Sequence, residues 1–141
     1  MANDPHNPKD SIGAAKPPIT TVSFAVLQEL GVAMAEGAMK YGRHNYRLAP
    51  VRASIYVDAT FGHIASYFEG EDIDADSGLH HITKAIASLT VLRDAIIQET
   101  VVDDRPPKSK LIGRTDLAHH MEALQKKYPE PKAPFTEIKQ P

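Results

Sequence analysis

Where proline falls is the strongest constraint on how this 141-residue chain can fold. Five of its eleven prolines lie in residues 1–50, none in residues 51–105 and six in residues 106–141. Proline lacks the amide N–H and its ring clashes with the preceding helical turn, so long helices belong where it is missing. Residues 1–18 therefore read as a flexible N-terminal tail and residues 101–141 as a Pro-rich extension, with a helical domain at 19–100 between them. Charge divides in a similar way. Residues 1–104 carry 8 Lys+Arg against 14 Asp+Glu, and residues 105–141 carry 8 against 4, so the extension is basic.

Apolar spacing within the middle predicts three helices. The first runs from about Phe24 to Lys40, capped by Thr21 or Ser23 and stopped at Gly42. The second runs from about Val51 to Phe68, with Val57, Phe61, Ile64 and Phe68 as one stripe and Gly70 as its end. The third runs from about Gly78 to Gln98 behind Asp76 or Ser77, with Ile82, Ala85, Ile86, Leu89, Leu92 and Ile96 on one face. A shorter helix is expected near residues 115–127. No segment alternates with period two, so the fold class is all-α, a small bundle of three main helices plus the shorter C-terminal one. Three such helices bury little core alone, so a homo-oligomer, dimer or tetramer, is expected to complete the bundle.

Composition removes several kinds of chemistry. With no Cys there are no disulfides, thiolate metal sites or cysteine nucleophiles. No apolar run is long enough to span a membrane, and no basic-then-apolar start marks a secretory signal, so a cytoplasmic location is expected. A formal net charge of -2 gives no reason to expect a nucleic-acid partner.

Two clusters could carry chemistry. Glu69, Glu71, Asp72, Asp74 and Asp76 crowd the turn between the second and third helices. Carboxylates that close repel, and a divalent cation with a taste for hard oxygen, Mg²⁺ or Mn²⁺, relieves the repulsion. A solvated acidic turn before a helix N-terminus is the plain alternative. The Asp72-Asp74-Asp76 alternation mimics an EF-hand loop, but Ser77 and Thr83 occupy the places of its Gly and bidentate Glu. Asp58 lies three helical turns before Glu69 on one face and could aim at the same ion, while His63, His80, His81 and Lys84 flank the turn. The second cluster is Lys40, Tyr41, Arg43, Asn45, Tyr46 and Arg47 around Gly42, a basic and aromatic turn suited to phosphate oxygens and a nucleobase. An ordinary basic loop, with Glu36 and Lys40 as an i,i+4 pair, would look the same.

The string GAMKYGRHNYR followed by YVDATFGHIASYFEGEDIDADSGLHHITKAIASL resembles the N-terminal-type domain of phage dATP/dGTP diphosphohydrolases, relatives of the MazG-like all-α nucleoside triphosphate pyrophosphatases. The resemblance covers about residues 16–100. Lys40, Tyr41, Gly42, Asn45 and Tyr46 match the family's turn, Asp58 its Tyr-x-Asp, Glu71 and Asp74 its Gly-Glu-x-x-Asp, and His63 and His81 its two helix histidines. Gly62 stands where the pattern carries Arg, and Lys84 where it carries a further His. The paired glutamates of the fuller MazG signature are not visible, which leaves the ligand set open.

The resemblance implies hydrolysis of a purine deoxynucleoside triphosphate to monophosphate and pyrophosphate. It implies Glu71, Asp74, His81 and His63 as catalytic residues, with Asp58, Glu71 and Asp74 on the metal. Lys40, Tyr41, Arg43, Asn45, Tyr46, Arg47 and Lys84 would hold the substrate. Two other readings compete. An HD-type phosphohydrolase is disfavoured because no His-Asp dipeptide occurs, and a non-catalytic nucleotide- or protein-binding module is kept open by Gly62.

Overall fold

The computed structural model describes residues 6–111 and 113–137. Helices dominate it: α1 Pro8–Ala14, α2 Phe24–Tyr41, α3 Ala53–Phe68, α4 His81–Ile97 and α5 Ala118–Lys127. The fold class is all-α, with one addition. Strands β1 Val51–Arg52 and β2 Val101–Val102 pair in parallel, Val51 opposite Val101 and Arg52 opposite Val102. Two residues per strand are too few to leave a period in the sequence. The expected second helix therefore starts at Ala53 rather than Val51, and Val101–Val102 forms a strand at the head of the segment read as an extension.

The chain divides into two compact units, Met1–Arg105 and Pro106–Pro141. Residues 1–5, 112 and 138–141 of the two expected tails lie outside the described residues. In the second unit a 3-10 turn, Arg114–Leu117, leads into α5, whose last turn carries Lys126 and Lys127 where the helix dipole favours cations. No helix among the described residues is long and apolar enough to cross a membrane.

In the first unit α4 packs against both α2 and α3. Ser23 caps α2 by accepting the Val26 N–H, and Gly42 ends it at φ 92°, a conformation a β-carbon would strain. α3 and α4 close with the same C-terminal motif. After α3, Gly70 N–H bonds Tyr67 O and Glu71 N–H bonds Ser66 O; after α4, Glu99 N–H bonds Ile96 O and Thr100 N–H bonds Ala95 O. The first turn uses Gly70 at φ 102°, the second a non-glycine residue, Glu99, at φ 58°.

The expected start of α4 needs correction. The helix begins at His81, not Gly78, and its cap is His80, whose Nδ1 accepts the Ile82 N–H. Ser77 Oγ instead accepts the Leu79 N–H, inside the turn and short of the helix, while its N–H and hydroxyl donate to Asp74 Oδ2.

The core is small and aliphatic. Ala95 is fully buried among Val51, Ala53 and Leu92, with Tyr46, Tyr56, Val91 and Val101 packed on them. The α3 stripe does not join it: Phe61 is 66% exposed and Phe68 85%, with Val57 and Ile64 also open. Among the described residues of the first unit nothing covers that face of α3, and burying it would take an apolar partner.

Candidate functional site

The basic turn after α2 is held on the far end of α4. Arg47 donates two hydrogen bonds of 3.0 Å to the Asp94 carboxylate, and Thr100 Oγ1 donates to Tyr46 O at 2.9 Å. His44, at φ 62°, lets the chain turn from Gly42 into the 3-10 turn Asn45–Arg47. The result is one wall of a cleft of about 650 Å³, within the size range of ligand pockets. Lys40, Tyr41, Arg43, Asn45 and Tyr46 line it from the turn, and Lys84 lines it from α4. Arg47, expected among the substrate ligands, is not part of that lining, because its guanidinium is committed to Asp94.

Tyr56 and Glu36 are among the residues of the cleft not singled out as site residues from the sequence. Tyr56 of α3 reaches it while packing on the core, and burial pushes its phenol pKa up. Glu36 of α2 stands between the two lysines, with Lys84 Nζ at 2.7 Å and Lys40 Nζ at 2.9 Å. The Lys84 and Lys40 hydrogen bonds hold the Glu36 carboxyl below its usual 4.5. The Glu36–Lys40 spacing is visible in the sequence, but the stronger bond joins residues 48 positions apart.

The acidic turn lies next to this cleft: Lys40 Nζ is 3.7 Å from Asp76 Oδ2. Within the turn, Asp74 N–H bonds Leu79 O, Gly78 N–H bonds Asp74 O and His81 N–H bonds Asp72 O, so the backbone folds tightly over the start of α4. Both Ser77 donors land on Asp74 Oδ2, the main reason that carboxyl sits below its usual pKa.

That fold brings together three side chains. Ligand atoms of His63, Asp74 and His81 all lie within 4.8 Å of one another. His63 Nδ1 is 2.9 Å from His81 Nδ1, and the two rings are tilted with centroids 5.2 Å apart. Burial is the first cause of a lowered pKa at His63. The His81 side chain is 5% exposed, and its Nε2 has no hydrogen-bond partner among the described residues; Glu71 Oε1 is 3.5 Å from it. A buried polar atom left without a partner is costly. Two imidazoles and a carboxylate, one ligand atom from each, are a donor set that fits a divalent cation.

Asp58 is not brought to this cluster. It is exposed on α3, and the five-residue step from it to His63 turns the helix by about 140°, onto another face. Glu71 reaches the edge of the cluster through His81, while His80, as the α4 cap, faces Asp72 only at 4.0 Å.

A family model described as dATP/dGTP diphosphohydrolase, N-terminal, matches residues 6–105. No curated protein and no solved structure matches the chain.

Proposed function

The chain belongs to the dATP/dGTP diphosphohydrolase N-terminal family, and from that premise we propose that it hydrolyses purine deoxynucleoside triphosphates to the monophosphate and pyrophosphate with a divalent cation, Mg²⁺ or Mn²⁺. The observation that carries this reading is the meeting of the basic-aromatic cleft and the acidic turn, with Lys40 3.7 Å from Asp76 at their junction.

Each residue has a role that its surroundings support. Lys40, Arg43 and Lys84 receive the phosphate oxygens, and Tyr41, Tyr46 and Asn45 receive the base and sugar. Glu36 keeps both lysines pointed into the cleft before the substrate arrives. Arg47 holds the turn in place through Asp94. Asp74 would hold the cation, which, when bound, offsets triphosphate charge and polarises the phosphoryl oxygens. Glu71 is half-exposed, with one oxygen facing His81, and orients the attacking water and takes its proton. Water supplies oxygen to one side of the α–β phosphoanhydride, and the bridging oxygen leaves on the other.

Turnover of each deoxynucleoside triphosphate by the intact chain tests this reading, with Asp74→Asn and Lys84→Met as comparisons. Cation-dependent loss of dGTP and dATP, collapsing in both variants, is the expected result. A wild-type chain that binds dGTP and consumes none supports a nucleotide-binding module instead.

A further inference from the structure

The hydrolase reading needs a divalent cation but leaves its class open. We infer that His63, Asp74 and His81 form a mixed nitrogen–oxygen site for a first-row transition ion, of the manganese, cobalt or zinc class, in preference to magnesium. This deepens the hydrolase reading and rests on it for what the ion does; the binding itself stands on the geometry alone.

The three residues come from α3, the turn and the first residue of α4, so the fold and not local sequence gathers them. The 2.9 Å between His63 Nδ1 and His81 Nδ1 is close to the separation of two neighbouring imidazole ligands on one ion. With metal–nitrogen bonds of about 2.0–2.1 Å, that separation is roughly 2.8–3.0 Å for octahedral and roughly 3.3–3.4 Å for tetrahedral geometry. Asp74 offers the third donor. Ser77 occupies only its Oδ2, which holds the carboxylate in place and leaves Oδ1 to turn toward the rings.

His81 supplies the second, independent observation. The side chain is 5% exposed and its Nε2 is unpartnered, although Glu71 Oε1 is only 3.5 Å away. An imidazole that binds an ion through Nδ1 carries its proton on Nε2, and a carboxylate beside that proton fixes the ring. Glu71 stands in that position. A bare histidine pair with His81 Nδ1 accepting would also put a proton on Nε2 toward Glu71; what the pair does not call for is Asp74, whose ligand atom lies within 4.8 Å of those of both rings.

The donor set decides the class of ion. Magnesium demands oxygen ligands and keeps its water, whereas neutral imidazole favours manganese, cobalt, zinc and their neighbours. The five carboxylates of the turn suggest a hard ion, but only one of them, Asp74, joins the two imidazoles.

The test uses the full chain stripped with a chelator and no nucleotide. Co²⁺ is added and its visible spectrum recorded, and Mn²⁺ and Mg²⁺ binding are measured by calorimetry. One Co²⁺ per chain, with nitrogen-ligand absorption, and Mn²⁺ at least tenfold tighter than Mg²⁺ are expected. His63→Gln, at a half-buried position, should weaken Co²⁺ and Mn²⁺ at least tenfold while circular dichroism shows an unchanged helix content; Asp74→Asn gives a second check. A spectrum that stays that of aqueous Co²⁺, or His63→Gln binding like the parent, overturns the site and leaves a plain imidazole pair. Binding as expected without dGTP turnover leaves the metal site standing and removes the hydrolase reading. Mg²⁺-supported turnover that ignores His63→Gln, with silent Co²⁺, does the reverse.

Discussion

Arg47 grips the Asp94 carboxylate with two hydrogen bonds of 3.0 Å, tying the turn that forms one wall of the cleft to the last turns of α4. The pair is bidentate but partly open to solvent, with the Arg47 side chain 53% exposed. Its worth to stability is therefore modest. Arg47→Ala should cost about 0.5–1 kcal/mol in urea unfolding. Its larger effect should fall on substrate binding, since Tyr46 and Asn45 lose their anchor. A several-fold rise in KM with kcat nearly unchanged is the expected pattern; a loss confined to kcat would put Arg47 on the reacting phosphates instead.

Glu36 gives the cleft a pH dependence. Its carboxyl titrates below its usual 4.5, chiefly through the Lys84 hydrogen bond and then that of Lys40. A carboxyl with a depressed folded-state pKa contributes stability that is fully present above the unfolded value and fades as pH falls through the folded one. Stability contributed by the α2–α4 link through Glu36 and Lys84 should thus hold at and above pH 5 and fade below 4.5. Thermal melts of the parent and Glu36→Gln across pH 3–7 check this. The two curves should converge at the acid end and separate above it; curves parallel throughout would remove the ion pairs from the account.

Glu99 occupies a turn that Gly70 fills elsewhere in the same chain. At φ 58° its β-carbon strains the C-terminal motif of α4, whereas Gly70 at φ 102° meets no such penalty. The left-handed conformation costs a non-glycine residue about 1–2 kcal/mol, and glycine returns about 0.5–1 kcal/mol of that as unfolded-state entropy. Glu99→Gly should therefore raise stability by about 0.5–1 kcal/mol, read from the shift in urea midpoint at constant m. A lower midpoint would show that the Glu99 side chain contributes more than its backbone strain.

The open α3 stripe predicts association. Val57, Phe61, Ile64 and Phe68 are all exposed within the single chain, and water rarely covers that much contiguous apolar surface on a stable monomer. Light scattering at micromolar concentration should give a mass at least twice that of the chain. The double change Phe61→Glu, Phe68→Glu should shift it to the monomer. A parent that is monomeric from the start would show that α3 stays solvated.

What the sequence made legible follows from where each signal is local. α2 could be placed almost to the residue because Ser23 caps it and Gly42 stops it, both within the segment itself. The start of α4 was misplaced because Ser77 has the side chain of a cap but accepts the Leu79 N–H within the turn, and His80 does the capping. β1 and β2 leave no pattern because each is two residues long and its partner is 50 residues away. Asp58 lies on α3 and Glu69 caps its C-terminal end, yet neither joins His63, Asp74 and His81, since only the packing of α3 on α4 decides which histidines converge. Arg47 looks like a phosphate ligand until Asp94, 47 residues on, takes its guanidinium.

The products of dGTP breakdown test the central claim most directly. The full chain is incubated with dGTP and Mn²⁺, quenched with chelator and resolved by anion exchange. Equal amounts of dGMP and pyrophosphate, absent when the chelator is present from the start, are the predicted result. Deoxyguanosine with inorganic triphosphate, dGDP with phosphate, or unchanged dGTP would contradict it.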